Sequence, residues 1–455
     1  MAYLLQNNRK HLSAGSMISL ISEGFNSITD HRKNVDTRKI SVHDASMSAF
    51  AMLHLKYPSL LSFEREKSEP SVRHNLKHLY HVKNRAPCDT SMREILDPQD
   101  PADFKKPYKL LLSEVQRAGL LKSFEFRIGS LKNHYLLAID GTGIFHTSNN
   151  KKPCQECCTK NKGKTNEAHY HQMMAACIVH PEQKTVLPLA PEAIVLQDGA
   201  SKNDCEKTAI KRLFSTIKKN HPRLKFVILL DGLYADNPTT SLIKDYGWHY
   251  IIVAKDGNHT SLVEAMDSAD KEGKVRRIER TNDEVNIKQW YRYANNLSLN
   301  KSACAEHVNV LDFVEIDKKD KRHTWCWITD LKLNEMTVEA IMKGGRCRWH
   351  IENQTFNTLK NQGYNLEHNY GHGEKHLTTN LAYLTVLAFL VDQIQELCCP
   401  QFQKALKGRS KGTRIALWKW IQNYFLNWLI KTWQGLFYTI INGAGEAKII
   451  PFDTS

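Results

Sequence analysis

Arg346-Cys-Arg-Trp-His-Ile-Glu-Asn-Gln-Thr-Phe-Asn-Thr-Leu-Lys360 decides how the rest of this 455-residue chain is read. No Pro or Gly interrupts the stretch, and Trp349, Ile351, Phe356 and Leu359 predict a helix with an apolar side. Arg348 and Glu352 stand four residues apart on that helix and so share a face. Taken alone, they are a surface ion pair worth roughly a few tenths of a kcal/mol. A carboxylate flanked by basic residues completes a metal site only if two further carboxylates reach it from elsewhere.

Two upstream apolar runs end in an acid. Tyr135-Leu-Leu-Ala-Ile-Asp140 precedes Gly141-Thr-Gly143, and Phe226-Val-Ile-Leu-Leu-Asp231 precedes Gly232. A single Asp-Gly after a strand is more often a turn. Carboxylates at strand ends, however, converge where the backbone opens to solvent. The ordered set carries the argument: a strand-end Asp, a second one 91 residues on, and a helix Glu 121 residues after that.

The surrounding pattern is α/β. Ile144-Phe145, Met173–Val179, Thr185–Leu189 and Ala193–Leu196 read as neighbouring strands. Lys202–Lys219 reads as a helix, followed by a short helix near Pro238–Lys244 and a strand Tyr250–Ala254. Charge-rich alternation in Val285–Tyr293 and Val308–Ile316 predicts antiparallel strands of an insertion, and His323–Asp330 returns to an apolar strand. A helix is expected to begin near Asn334–Val338. Leu377–Leu397 reads as a buried helix, since its longest apolar run, Leu381–Val391, is too short to span a bilayer.

The three acids, with Ala138-Ile-Asp-Gly-Thr142, Leu230-Asp-Gly-Leu-Tyr-Ala235 and Arg348-Trp-His-Ile-Glu-Asn353, resemble the catalytic core of bacterial insertion-sequence transposases of the DDE type. The resemblance covers roughly residues 85–395. It implies an α/β fold, an RNase H-like core with a β-rich inserted subdomain, between helical N-terminal and C-terminal regions. It also implies that Asp140, Asp231 and Glu352 are the catalytic, metal-binding triad. Many members carry Tyr-x-x-Arg-x-x-x-Glu-x-x-x-x-x-x-Lys around the last acid. Here Gly345 replaces the Tyr, and Leu359 occupies the Lys position with Lys360 next to it.

The chemistry suits these residues. Two Mg²⁺ ions, which Mn²⁺ could replace, activate a water or 3′-hydroxyl and stabilise the leaving oxygen of a phosphodiester. Hard ions want carboxylate oxygen, which explains acids without Cys or His in the triad. Arg348 and Arg346 would neutralise phosphate charge, and Lys360 would contact the terminal phosphate. The implied reaction is cut-and-paste transposition, with cleavage of element ends and joining of their 3′-hydroxyls to target DNA. The alternatives are a metal-dependent nuclease of the same fold and a catalytically silent DNA-binding regulator derived from a transposase.

Composition agrees with a polyanionic partner, since the chain carries a net charge of +15. Residues 1–85 hold 13 Lys/Arg against 7 Asp/Glu. Two helices are expected there, one capped by Asp44 and stopped at Pro58, the other over Val72–Lys83 with Arg73 and Lys77 on its polar side. Further helices are expected from Asp89 or Thr90 and over Tyr108–Lys122. The partner is double-stranded DNA, both terminal inverted repeats and target, and pairing of two ends predicts a homodimer on DNA. No membrane is expected. The start of the chain, Met1–Lys10, lacks the apolar core of a signal peptide, so the eleven Cys should be reduced and the location cytoplasmic, in a bacterium and nucleoid-associated.

Three secondary constellations remain. Cys154-x-x-Cys157-Cys158 with His169 and His171 has the ligand types of a zinc knuckle, set between Lys151-Lys-Pro and Lys160–Lys164, so a Zn²⁺ loop stands beside a metal-free reduced one. His368, His372 and Glu367 follow the last acid and approach either the site or one another in a local turn. Trp290, Trp325 and Trp327 lie in the insertion, and Trp290 is a candidate for stacking on a DNA base. The aromatic stripe of residues 415–438 is expected as core or as a dimer surface. The resulting domains are 1–130 (DNA-binding), 131–256 with 336–400 (catalytic core), 257–335 (insertion) and 401–455 (Trp-rich helical).

Overall fold

The computed structural model describes residues 9–32, 38–148, 154–161, 163–195, 202–254, 260–282, 287–300, 306–408 and 412–452. Residues 151–153, 162, 196 and 285–286, parts of segments read above, lie outside them. The apolar run before Asp140 forms a strand, but a longer one than its composition suggests. β1 (Glu125–Ile128) turns at Gly129, whose φ of 55° suits glycine, into β2 (Leu131–Thr147). Asp140 therefore sits inside a strand and not at its end.

The chain continues through β3 (Cys158–Lys160), β4 (Ala168–Val179), β5 (Leu187–Pro188), β6 (Glu192–Ile194), β7 (Lys225–Leu230) and β8 (His249–Val253). Then come β9 (Arg276–Asn282), β10 (Ile287–Ser298), β11 (His307–Ile316) and β12 (Arg322–Thr329). All join one sheet in the order β3-β4-β2-β7-β8-β12-β11-β10-β9, with β1 added on β2 and both β5 and β6 on β4. β4 runs antiparallel to β2, whereas β7 is parallel to β2 and β8 to β7. Parallel neighbours need crossover connections, and the helices Lys202–Asn220 and Asn237–Asp245 lie in them. Phe226 to Leu230 are all fully buried, which is why β7 is apolar at every position and not at alternate ones.

The four strands of the expected insertion do not make a sheet of their own. β12 pairs antiparallel with β8, Trp327 opposite Val253 and Thr329 opposite Ile251. These strands thus extend the central sheet and satisfy the open edge of β8.

Helices enclose the other end. Ser41, not Asp44, caps the helix Val42–His54 by accepting the Asp44 N–H. Asp44 is buried and accepts the backbone N–H groups of Lys83 and Asn84, so its acid serves a tertiary contact in place of a cap. Leu60–Glu66, Pro70–Tyr80, Asp89–Leu96, preceded by Cys88 without a side-chain cap, and Lys106–Arg117 follow. Leu377–Cys398 is long and apolar enough to cross a bilayer, but it is mostly buried inside the chain as the core helix. At its centre Asp392 is fully buried between His54 Nε2 at 3.1 Å, Lys56 Nζ at 2.9 Å and the hydroxyl of Tyr364.

The C-terminal aromatic segment is not one helix. Arg414–Asn427 ends at Trp428, and Trp433–Asn442 resumes after Thr432, whose hydroxyl caps it. Leu417, Trp418, Ile421, Phe425 and Trp433 are buried, with His54 edge-on to Trp418 and Trp433. Of the two expected readings the stripe is core and not a dimer surface, because the N-terminal helices already cover it. Asn75 ties the two regions, donating to the carbonyls of Phe425 and Trp428 and accepting from Ile430.

Removing the buried anion should be costly, because Lys56 would be left without its counterion. Asp392→Ala is expected to lose about 3–5 kcal/mol of stability. Urea denaturation measures it, and an unchanged midpoint would refute the role given to Asp392.

Candidate functional site

The β2–β7 ladder sets the site. Its partners run from His134–Lys225 to Ala138–Leu229, and each pair is separated by the same 91 residues. Asp231 follows Asp140 by that interval too, so the two acids stand level where β7 ends and β2 continues. Gly141 N–H donates to Asp140 Oδ1 at 2.8 Å, and Leu233 N–H donates to Asp231 Oδ1 at 3.0 Å. Asp231 thereby caps the single turn Gly232–Tyr234.

Glu352 arrives on an irregular helix. The α-helix Val338–Arg346 gives way to a π-helical turn, Ile351–Phe356, in which Asn357 N–H reaches back five residues to the Glu352 carbonyl. Regular helix resumes only over Asn357–Asn361. The uninterrupted helix expected over 346–360 is therefore broken at its acid, as often occurs at functional sites. Ile351, Phe356 and Leu359 are buried, but Trp349 is 47% exposed and departs from the expected apolar side.

Arg348 joins the acids. It is almost fully buried, donating from Nη1 to Asp140 Oδ2 at 3.1 Å and pairing through Nη2 with Glu352 Oε1 at 2.8 Å. Burial, then the charges of Asp231 and Glu352, push the Asp140 carboxyl up to about 6 despite Arg348 and the Gly141 N–H. The site is short of positive charge even with its guanidinium. Carboxylate oxygens are the donors a hard divalent cation takes, but here the Arg348 guanidinium lies between Asp140 and Glu352, and the three acids are not drawn within 4.8 Å of one another.

Two residues here escaped the sequence reading. A Cβ on Gly141 would lie 3.3 Å from Glu206 Oε1, so the missing side chain lets a further acid, on the helix Lys202–Asn220, approach β2. Tyr234 has a buried hydroxyl with no hydrogen-bond partner, and burial with Glu206, Asp231 and Asp140 nearby holds its phenol well above the ordinary value. It stays a neutral donor beside the acids.

The other sequence candidates scatter. Arg346 stacks on Trp325 at 4.7 Å and pairs with Glu315 at 3.5 Å, and Lys360 pairs with Glu367 at 2.8 Å. Trp290, Trp325 and Trp349 line one open cleft of about 1250 Å³ with Arg277, Arg292 and Arg322. Arg348 lies over the ring of Trp349, one of the residues lining the cleft, at 4.9 Å. Arg73 and Lys77 are exposed on the helix Pro70–Tyr80. Gly345 also finds its reason: a Cβ there would lie 2.6 Å from the Trp327 indole, leaving no space for a tyrosine.

Of the Cys/His candidates, Cys154, Cys157 and His171 converge, joined by His372. Cys158 and His169 do not. Cys158 Sγ lies 3.7 Å from the Ile194 carbonyl, and His169 Nδ1 lies 3.2 Å from Thr159 Oγ1.

Comparison with protein families matches residues 132–390, more than half of the chain, to the model described as a transposase DDE domain. No curated protein matches the chain.

The raised Asp140 carboxyl gives a signed prediction. Its stabilising contribution is present in the protonated form, below pH about 4, and is lost as pH rises through about 6. Without divalent cations, Asp140→Asn should therefore be more stable than wild type at pH 8, by up to about 3 kcal/mol. The gap should close toward pH 4. Thermal unfolding at both pH values checks this, and a wild type at least as stable at pH 8 would refute it.

Proposed function

The chain belongs to the family of transposases with a DDE domain, and on that premise we propose that it cleaves the ends of a mobile element and joins their 3′-hydroxyls to target DNA. The observation that carries this reading is the shared 91-residue offset that sets Asp140 level with Asp231, with Arg348 linking Asp140 to Glu352. An antiparallel β2–β4 pair flanked by parallel β7 and β8 supports an RNase H-like core, with the strands 276–329 as its β-rich insertion.

Asp140, Asp231 and Glu352 would hold two divalent ions, Mg²⁺ or in its place Mn²⁺. Bound there, such ions supply a nucleophile at neutral pH and charge stabilisation at the leaving oxygen. The protein's own residues do the rest. Arg348 keeps Asp140 and Glu352 oriented toward one space and offers charge to a scissile phosphate. Tyr234 adds a neutral hydroxyl donor, and Glu206 a nearby carboxylate. The cleft lined by Trp290, Trp325, Trp349 and three arginines offers aromatic faces and positive charge to DNA strands. Exposed Arg73 and Lys77 support phosphate contacts by the helical region 1–130, with Arg346 and Lys360 released from Glu315 and Glu367 on binding. Two such chains on paired DNA ends would make the working dimer.

Asp140→Asn, Asp231→Asn and Glu352→Gln should each lower Mg²⁺-dependent strand cleavage at least about 10³-fold while leaving DNA binding within a few-fold. Gel assays on the DNA flanking the coding region measure both. Full cleavage by any one variant removes that residue from the mechanism. Joining of pre-cleaved ends to target separates transposition from simple nuclease activity.

A further inference from the structure

A second cluster of chemically active side chains lies outside the acidic site. Cys154 and Cys157 stand in the loop before β3, His171 on β4, and His372 in the segment leading to the helix Leu377–Cys398. One donor atom from each lies within 4.8 Å of all the others, the only Cys/His group of this kind found among the described residues. His171 Nε2 is 3.1 Å from His372 Nδ1 and 3.3 Å from Cys154 Sγ.

The two separations fall slightly inside the edges of a coordination tetrahedron, and the 4.8 Å limit on the remaining pairs lets an ion draw all four donors to it. With Zn–N near 2.0–2.1 Å and Zn–S near 2.3 Å, ligand-to-ligand distances come to about 3.3–3.8 Å. Two soft thiolates and two imidazoles are the donor set that tetrahedral zinc prefers over harder ions. Cys154, Cys157 and His171 are each less than a tenth exposed, and Phe145 packs against both imidazoles at 5.5 and 4.8 Å. Four converging donors in such a closed, partly aromatic setting match a structural site and not a catalytic one, which would leave a position open.

We propose that Cys154, Cys157, His171 and His372 bind one structural Zn²⁺. The ion pins the loop before β3 to the chain that follows Glu352. The same two segments already meet through other contacts. Gln155 N–H donates to the Glu374 carbonyl at 3.0 Å, and the Glu156 carboxylate accepts from His376 Nδ1 at 2.7 Å and from the Thr379 hydroxyl. Zinc adds a crosslink spanning 201 residues between His171 and His372. Phe145, which packs against both imidazoles, is on the strand that carries Asp140, so the crosslink is seated against that strand.

Metal content of the purified full-length chain tests the proposal directly. Wild type should carry one zinc per chain, and Cys157→Ser and His372→Ala should each lose most of it. Cys158→Ser and Asp140→Asn should keep it, since the first residue is outside the cluster and the second belongs to the hard-donor site. Cobalt supplied to the zinc-stripped protein should give the visible ligand-field bands of a tetrahedral site with thiolate charge transfer. This readout needs no variant and so stands even where a substitution prevents folding. Wild-type protein with no zinc and no tetrahedral cobalt spectrum overturns the proposal. So does retention of zinc by folded His372→Ala, which would remove His372 from the site.

Discussion

The parallel ladder between β2 and β7 is the constraint on which the rest of the molecule hangs. It is made of two apolar strands in the middle of the sheet, with β7 buried at five successive positions. The buried apolar run Phe226–Leu230 is bounded by Lys225 and Asp231, so sliding β7 by a residue would draw one of those charges into the core. That cost locks the 91-residue offset, and the offset sets Asp140 and Asp231 side by side. On one side of this pair the sheet continues through β4, and on the other through β8 into the inserted strands.

Placing like charges together works against folding, and the structure shows how the penalty is contained. Arg348 is buried between Asp140 and Glu352, yet the Asp140 carboxyl still rises to about 6. The stabilising terms lie elsewhere, in the helix Leu377–Cys398 and the N- and C-terminal helices wrapped around it. The molecule thus carries an electrostatically strained site on a large apolar base, the arrangement expected where function needs charge that packing does not. The π-helical turn at Glu352 fits the same pattern, since a regular helix would aim the acid differently.

Much of this was legible in residue order. Apolar runs ending in Asp located β2 and β7, the break in rhythm after residue 256 located the antiparallel strands β9–β12, and the Arg348–Glu352 spacing located an ion pair that the structure forms. Other elements depended on neighbours far along the chain. Asp44 looked like a cap because it begins an apolar pattern, but Lys83 and Asn84 claim its carboxylate. The aromatic stripe of 415–438 could be read as core or as a dimer surface because its cover, the helices of residues 42–80, lies more than 300 residues earlier. Tyr234 stood inside the Leu230–Ala235 motif but was read for its Asp, and Glu206 carried no signal of its own. Only the glycine at 141 hinted that something must come close.

The sequence by itself determined most of the strands and long helices and which acids follow the apolar runs, because hydrophobic periodicity and turn residues are local. It did not show that Ile144-Phe145 continues β2, that Thr260–Lys271 is a helix, or that the helix over 346–360 is broken. Tertiary structure alone decided which side chains meet. It chose His372 over Cys158 and His169, put Arg346 on Trp325 and Lys360 on Glu367, and filled the space beside Gly345 with Trp327. Those choices follow from strand register, helix irregularity and packing between distant segments, and none of these is encoded within any short window of residues.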